Sequence, residues 1–363
     1  MARPPRPADS VRVRREQAIG LIRPRVLMLG AARDAYGPLG RLAKALHTEV
    51  VLEAASPSLA SLFPAILAVR RAARSGEAEA IHLWNERHAF ALLALPRGVP
   101  VTMTVGAGRT GRSPLGRLAH RARRRADELF VPADGAPPDL PRDACVTPIP
   151  AFAEPLPAPR ERVLRRVTAT LRTVLPGRLV IAAPWPADAT SLRWFRDAVV
   201  PHAAGEPHVI LFGAPGRRAT SVALGPHHRG RISVIRGAVT SELIAAIARC
   251  VDAFVIPPPL GGETLALKLA VSGVPVVARC SSPAPALAHE RNAFTVETPD
   301  DHSFLSTLDG VLRLPAVQRH MLGEEFARYT LERYPAERAA AVYAERFCAL
   351  AGRPRVPEML RAA

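Results

Sequence analysis

Lysine is almost missing from this chain. Of 49 Lys and Arg residues in 363, only Lys44 and Lys268 are lysines. Arginine therefore carries nearly all of a net charge of +17, which favours anionic partners. Ala and Pro are abundant too, so a GC-rich coding bias supplies part of that arginine and singles out the two surviving lysines. Aromatic residues are 5%. No nucleic-acid module or stacking motif is visible, which disfavours nucleic acid as a partner. Cysteine is sparse: Cys145, Cys250, Cys280 and Cys348 are scattered without C-x-x-C spacing. That excludes a disulfide framework and a zinc knuckle, and reads as buried thiols in a reducing cytoplasm. No apolar run approaches the roughly 18 residues that span a bilayer. Met1 to Glu16 is Pro- and Arg-rich without an apolar stretch, so it is not read as a secretory signal. Residues 1–23 are expected to form a mobile basic arm. No phosphate loop of the G-x-x-x-x-G-K-[ST] type and no G-x-S-x-G occur, and Gly213-Ala-Pro-Gly216 is too short for a dinucleotide fingerprint. His227-His228 lacks partners at ligand spacing. The expectation is no metal and no cofactor.

What is present is alternation. Hydrophobic residues make up 48%, and the length suits two domains. Strand signals at 26–29, 48–52, 80–84, 99–105, 128–131 and 145–149 alternate with helical patterns at 37–46, 59–74 and 117–127. Pro148 to Pro159 holds five prolines, a linker composition, and a charged helix over 160–171 completes the crossing. The alternation then restarts. Strands are expected at 178–182, 209–212, 232–235, 253–256, 274–278 and 293–296. Helices are expected at 191–200, 240–249, 263–271, 303–312, 315–329 and 335–350, with a helical turn over 284–290. This predicts an α/β chain of two doubly wound domains with parallel sheets. The expected boundaries are 24–158, 159–335, and a last helix over 336–352 returning to the first domain. Ligands of such sheets bind at the carboxyl ends of the strands, here in a central cleft that the two sheets face.

Several segments resemble the family 4 glycosyltransferases of GT-B fold. Val251-Asp-Ala-Phe-Val-Ile-Pro257 resembles their strand and Pro turn. Gly261-Gly-Glu-Thr-Leu-Ala-Leu-Lys268, continuing to Ala278, is similar to their donor loop, helix and following strand. Ala293-Phe-Thr-Val296 and Glu332-Arg-Tyr-Pro335 match later segments. Ala80-Ile-His82 and Gly98 to Thr104 match the first half more loosely. The resemblance implies two Rossmann-like domains and hexosyl transfer from a nucleotide-diphosphate sugar, with retention and without a metal. It also locates departures. The family's Glu-x7-Glu pair falls on Leu260 and Lys268. Its phosphate-binding Arg and Lys fall in Pro184 to Thr190. A histidine sometimes found after the strand at Thr104 is Gly106.

On this reading Gly261, Gly262, Glu263, Thr264 and Lys268 form the donor site. A Gly-Gly turn lets backbone amides approach a diphosphate, and the helix N-terminus adds positive potential. Glu263 is either a replacement carboxylate at the sugar or an ordinary first-turn acid. Lys268 shares a helix face with Thr264 and leans toward the N-terminus. It is either a relocated phosphate clamp or a snorkelling surface lysine. His82, with Glu263 the candidate catalytic residue, is either an acceptor-side group with Arg87 or a satisfied core histidine. Gly37, with Gly30 and Gly40, is either part of the acceptor side or plain turn chemistry.

The run Arg109, Arg112, Arg117, Arg121, Arg123, Arg124, Arg125 lies beside an apolar stripe of Leu115, Leu118, Ala122 and Leu129. Arg117, Arg121 and Arg124 would meet an anionic membrane surface or a lipid-linked acceptor, placing the protein in the cytoplasm at the inner face of the membrane. A solvated arginine face fits equally. Three functions stand at this point: a glycosyltransferase, a degenerate member binding a nucleotide, glycan or partner enzyme, and a basic membrane adaptor.

Overall fold

The computed structural model describes residues 25–31, 49–53, 67, 70–71, 73–76, 78–84, 98–105, 120–121, 123–133, 140–171, 177–186, 188–203, 205–214, 231–237, 239–258, 263–280, 286–297 and 300–352. The chain divides into two compact units. One runs to Pro150 and resumes at Ala336; the other is Ala151–Pro335.

The first unit holds six parallel strands: β1 (Val26–Ala31), β2 (Glu49–Glu53), β3 (Ala80–Leu83), β4 (Val101–Thr104), β5 (Glu128–Pro132) and β6 (Val146–Ile149), in the order β2-β1-β3-β4-β5-β6. β3 is buried throughout, as a central strand covered on both faces must be. The second unit holds β7 (Val180–Pro184), β8 (His208–Ala214), β9 (Ile232–Arg236), β10 (Ala253–Ile256), β11 (Val276–Cys280) and β12 (Phe294–Glu297), ordered β12-β11-β10-β7-β8-β9 and again all parallel. Counted from β7 this is the 3-2-1-4-5-6 order of dinucleotide-binding sheets. The strand order reverses between β1 and β3 in the first sheet, and between β7 and β10 in the second.

Around the second sheet lie α1 (Glu161–Thr170), α2 (Ala189–Trp194, continued by a π turn Phe195–Val199 and by Val200–His202), α3 (Ser241–Ala248), α4 (Glu263–Ala270), α5 (Asp301–Arg313) and α6 (Ala316–Arg333). The last helix, α7 (Ala336–Leu350), belongs to the first unit. Ala153 bridges Pro335, its amide donating to the Tyr334 carbonyl at 2.7 Å, so the two places where the chain passes between units are tied together.

One local device recurs in both sheets. The acidic residue just before a strand caps the start of the neighbouring strand. The Glu79 carboxylate accepts from the Arg25 amide at 2.8 Å, Asp127 from Val101 at 2.7 Å, and Asp252 from Val180 at 2.8 Å. In return the amides of Glu79, Asp127 and Asp252 donate to the carbonyls of Arg25, Val101 and Val180. A first strand amide has no ladder partner, and the carboxylate supplies one.

Several expectations shift, among them β7, which runs Val180–Pro184 rather than over 178–182. β11 begins at Val276 rather than Val274, because Gly273 turns the chain at φ +77° and Pro275 has no amide to give a ladder. The described part of 284–290 forms turns closed by a His289–Ala293 bridge, not a helical turn.

Next to the edge strand of the second sheet, β8 carries a pH-sensitive group. His208, 2% exposed, has Nε2 2.8 Å from Ser233 Oγ, and that hydroxyl donates to the Thr170 carbonyl. The ring N–H therefore donates to Ser233, and Nδ1 is a buried acceptor without a partner among the described residues. Burial, and secondarily the Arg178 charge, hold the imidazole below its ordinary pKa. The unfolded chain takes up a proton near pH ~6.5 that the folded chain refuses. Stability is thus flat above that value and falls as pH drops below it, until the folded ring also protonates. Urea unfolding at stepped pH is expected to show this acid-side loss, and His208→Gln to flatten it. An unchanged slope in the variant would assign the acid sensitivity to other groups.

Candidate functional site

The donor-side residues meet on α4. Ala266 and Leu269 enter the main core beneath the second sheet. Leu267 and Val271 pack on another side against Ala153 and Ala286. With most of its surface buried, the helix is a rigid platform. Its C-terminal turn is locked as well, since the helical residue Gly323 of α6 lies directly against the backbone of Gly273 and Val274. Thr264 is left exposed and Lys268 half-buried. Lys268 lies about 7.5 Å along the axis from Glu263 at a rise of 1.5 Å per residue. Its four-carbon stem, leaning toward the N-terminus, covers most of that distance. Glu263 opens the helix; its side chain, like Gly261 and Gly262, is outside the described residues.

The opposite wall is not cationic. β7 ends in Pro184, followed by Trp185 and Pro186. The N-terminus of α2 is occupied by its own cap, Asp188, which accepts from the Ser191 amide at 2.8 Å and hydroxyl at 3.0 Å. Those bonds, the amide first, lower the Asp188 carboxyl below its usual pKa. A helix start capped by a fixed carboxylate does not invite a phosphate.

At the end of β11, Arg279 is 8% exposed. It pairs with Asp301 at 2.7 Å and stacks on Trp194 at 4.4 Å, while the Trp194 indole donates to the same Asp301 oxygen at 2.8 Å. This cluster, which the sequence reading missed, fixes β11, α2 and α5 to one another beside the sheet's carboxyl end. Its signal in sequence is slight: an arginine within an otherwise apolar strand.

Of its two readings, His82 fits that of a satisfied core histidine. It is fully buried in the first unit. Nδ1 is 2.8 Å from Thr102 Oγ1, and Nε2 is 3.0 Å from Thr104 Oγ1, which is 2.7 Å from the Tyr343 hydroxyl on α7. Trp84, Phe130, Tyr343 and Phe347 ring it at 5.3 to 5.9 Å. Burial raises the Tyr343 phenol, the bond to Thr104 opposing it, so the hydroxyl stays protonated and can donate. Between two hydroxyls and four aromatic rings the imidazole has the surroundings of a core histidine.

The arginine run is also revised. Arg121 and Arg124 are exposed, but Arg123 is wholly buried. Leu129 is not part of a helical stripe; it is a fully buried residue of β5. Gly37, Gly40, Arg87, Arg109, Arg112, Arg117, Leu115 and Leu118 fall outside the described residues. Among the described residues no helix is long and apolar enough to cross a membrane.

No family model and no curated protein sequence matches the chain. Solved structures do. A sucrose-phosphate synthase from Thermosynechococcus elongatus matches with a TM-score of 0.54 at 12% identity, over 90% of this chain and 99% of that one. An α,α-trehalose-phosphate synthase (UDP-forming) from Burkholderia vietnamiensis gives 0.53 at 12% identity, over 90% and 100%. HepE of Anabaena, solved with UDP and glucose, gives 0.52 at 13% identity, over 90% and 100%. At such identities the likeness is one of fold. Two Rossmann-like parallel sheets in tandem, matched along nearly the whole length of these glycosyltransferases, give this chain the GT-B fold.

Proposed function

We propose that the chain is a glycosyltransferase that takes a sugar from a nucleotide-diphosphate donor held on the second unit. The observation that supports this is α4. It is a helix immobilised on two sides, starting beyond the carboxyl end of β10, beside the strand-order reversal where such sheets bind nucleotides. Its amide-rich start and Lys268 supply positive potential where a leaving diphosphate gains charge. The cation has moved from the segment 184–190, now capped by Asp188, onto the donor helix. Retention of configuration and membership of family 4 belong to this same reading. His82 then acts through packing, and Glu263 is the remaining candidate for a group that touches the sugar.

The test is Lys268→Glu, which restores the family's residue. Titration of nucleoside diphosphates, followed by calorimetry, is expected to show at least about tenfold weaker binding in the variant, or about 1.4 kcal/mol. Acceptor-free hydrolysis of a nucleotide sugar is expected to slow in parallel. Tighter binding or faster hydrolysis would show the lysine to be decay of a carboxylate site. Absence of binding by any nucleoside diphosphate in the unmutated protein would remove the donor reading itself.

A further inference from the structure

The first sheet reverses its strand order between β1 and β3, and Trp84 stands at that point. It follows the last residue of β3, and its amide donates to the Leu29 carbonyl of β1 at 3.0 Å. The indole lies 6.1 Å from the Tyr343 ring with planes 33° apart, and meets His82 edge-on at 5.9 Å. Behind it runs the hydrogen-bonded chain His82–Thr104–Tyr343, which holds these rings in place. Yet Trp84 is itself only half-buried. Among the described residues its indole N–H has no hydrogen-bond partner, whereas that of Trp194 is bonded to Asp301.

A braced ring with an open N–H is matched by a particular ligand chemistry. An indole face is electron-rich and apolar, and its edge donates one hydrogen bond. A pyranose has the complement: a face of polarised C–H bonds and a rim of hydroxyl acceptors. A lipid acceptor would instead need a contiguous apolar surface. Among the described residues of the first unit, the exposed large apolar side chains are Leu67 and Val146 alone.

We propose that Trp84 is a stacking platform for a sugar ring at the carboxyl end of β3, and hence that the acceptor is a carbohydrate. As a statement about the acceptor this rests on the glycosyltransferase reading; the binding site itself stands without it. The test is saturation-transfer NMR on the full chain without nucleotide, using methyl glycosides of glucose, galactose and mannose, with uridine and adenosine as separate probes. Saturation is expected at the ring C–H protons of at least one glycoside. It should be lost in Trp84→Ala and partly kept in Trp84→Phe, with unchanged far-UV dichroism in both. No saturation of any glycoside, or saturation that survives Trp84→Ala, overturns the proposal. So does saturation of the nucleosides alone through Trp84, which would make the ring a base platform. If Trp84→Ala fails to fold, Trp84→Phe and Trp84→Gln decide: Gln must lose the signal that Phe keeps. Titration with a nucleoside diphosphate in the same sample reports the donor site independently, so a failed acceptor platform is distinguishable from a failed donor reading.

Discussion

Gly323→Ala is expected to destabilise the second unit by about 2 kcal/mol or more, although alanine is the better helix former by about 0.8–1.0 kcal/mol. A Cβ on Gly323 would lie 2.1 Å from the Gly273 carbonyl oxygen, 2.4 Å from its carbon and 2.8 Å from the Val274 nitrogen. All three are backbone atoms, so no side chain can rotate away. Gly273 is at φ +77°, in a turn that has little room to shift. That turn ends α4 and leads into β11, so α6 or α4 must move. Gly310 is the control. It is exposed in α5 with nothing within 4 Å of its Cβ position, so Gly310→Ala should stabilise by the ordinary propensity gain. Urea unfolding of the two variants should give shifts of opposite sign. Two stabilising shifts would mean that α6 does not approach the turn this closely. The functional reading adds that Gly323→Ala should weaken nucleoside-diphosphate binding too, since it disturbs the end of the donor helix.

Arg346→Ala is expected to cost about 3 kcal/mol, from the class of buried pairs broken on one side. Glu128 opens β5 with a completely buried side chain, and Arg346 on α7 donates to its Oε1 at 2.6 Å. The Thr147 hydroxyl donates to the same oxygen, while Oε2 is already without a partner among the described residues. Without the guanidinium a buried carboxylate keeps only one hydroxyl. Arg346 is itself 37% exposed, so the Coulombic part is screened and desolvation of the orphaned carboxylate dominates. The double variant Glu128→Gln/Arg346→Ala should recover a large part of the loss, because the amide still accepts from Thr147 and carries no charge. A double-mutant cycle by chemical unfolding measures this. A cost below about 1 kcal/mol for Arg346→Ala would place the pair among surface ion pairs. It would also mean that α7 is held to the first unit chiefly by the Tyr343 and Phe347 packing and the Tyr343–Thr104 bond.

Periodicity served well wherever burial is local. The strands at 253–256 and 232–236 and the helices over 301–350 follow from apolar spacing and end signals near those expected. Errors arose where another element intervenes. Arg123 looked like part of a solvated run, yet it is completely buried, and no charge or spacing pattern in its neighbours announces that. Leu129 fitted a helical stripe by spacing, but the chain had already turned at Arg124 and entered β5. For His82, near a strand end, sequence left the ligand-facing and core readings both open. The group that closes over it is Tyr343, bonded to Thr104 across 239 residues, and no local pattern announces that partner.

The sequence by itself determined the α/β alternation, the Pro-rich crossing, and the Gly-Gly-to-helix segment with its lysine. Each depends on spacing, charge or backbone chemistry within a few residues. Only the tertiary structure decided the strand orders, and with them the two reversal points. It decided the immobilisation of α4 between two cores, the contact of Gly323 with the Gly273 turn, and the closing of the first unit by α7. Parallel strands do not pair with their sequence neighbours by necessity, and a buried charge is identified only by what covers it. Arg346 and Tyr343, which meet Glu128 and Trp84, come from the far end of the chain.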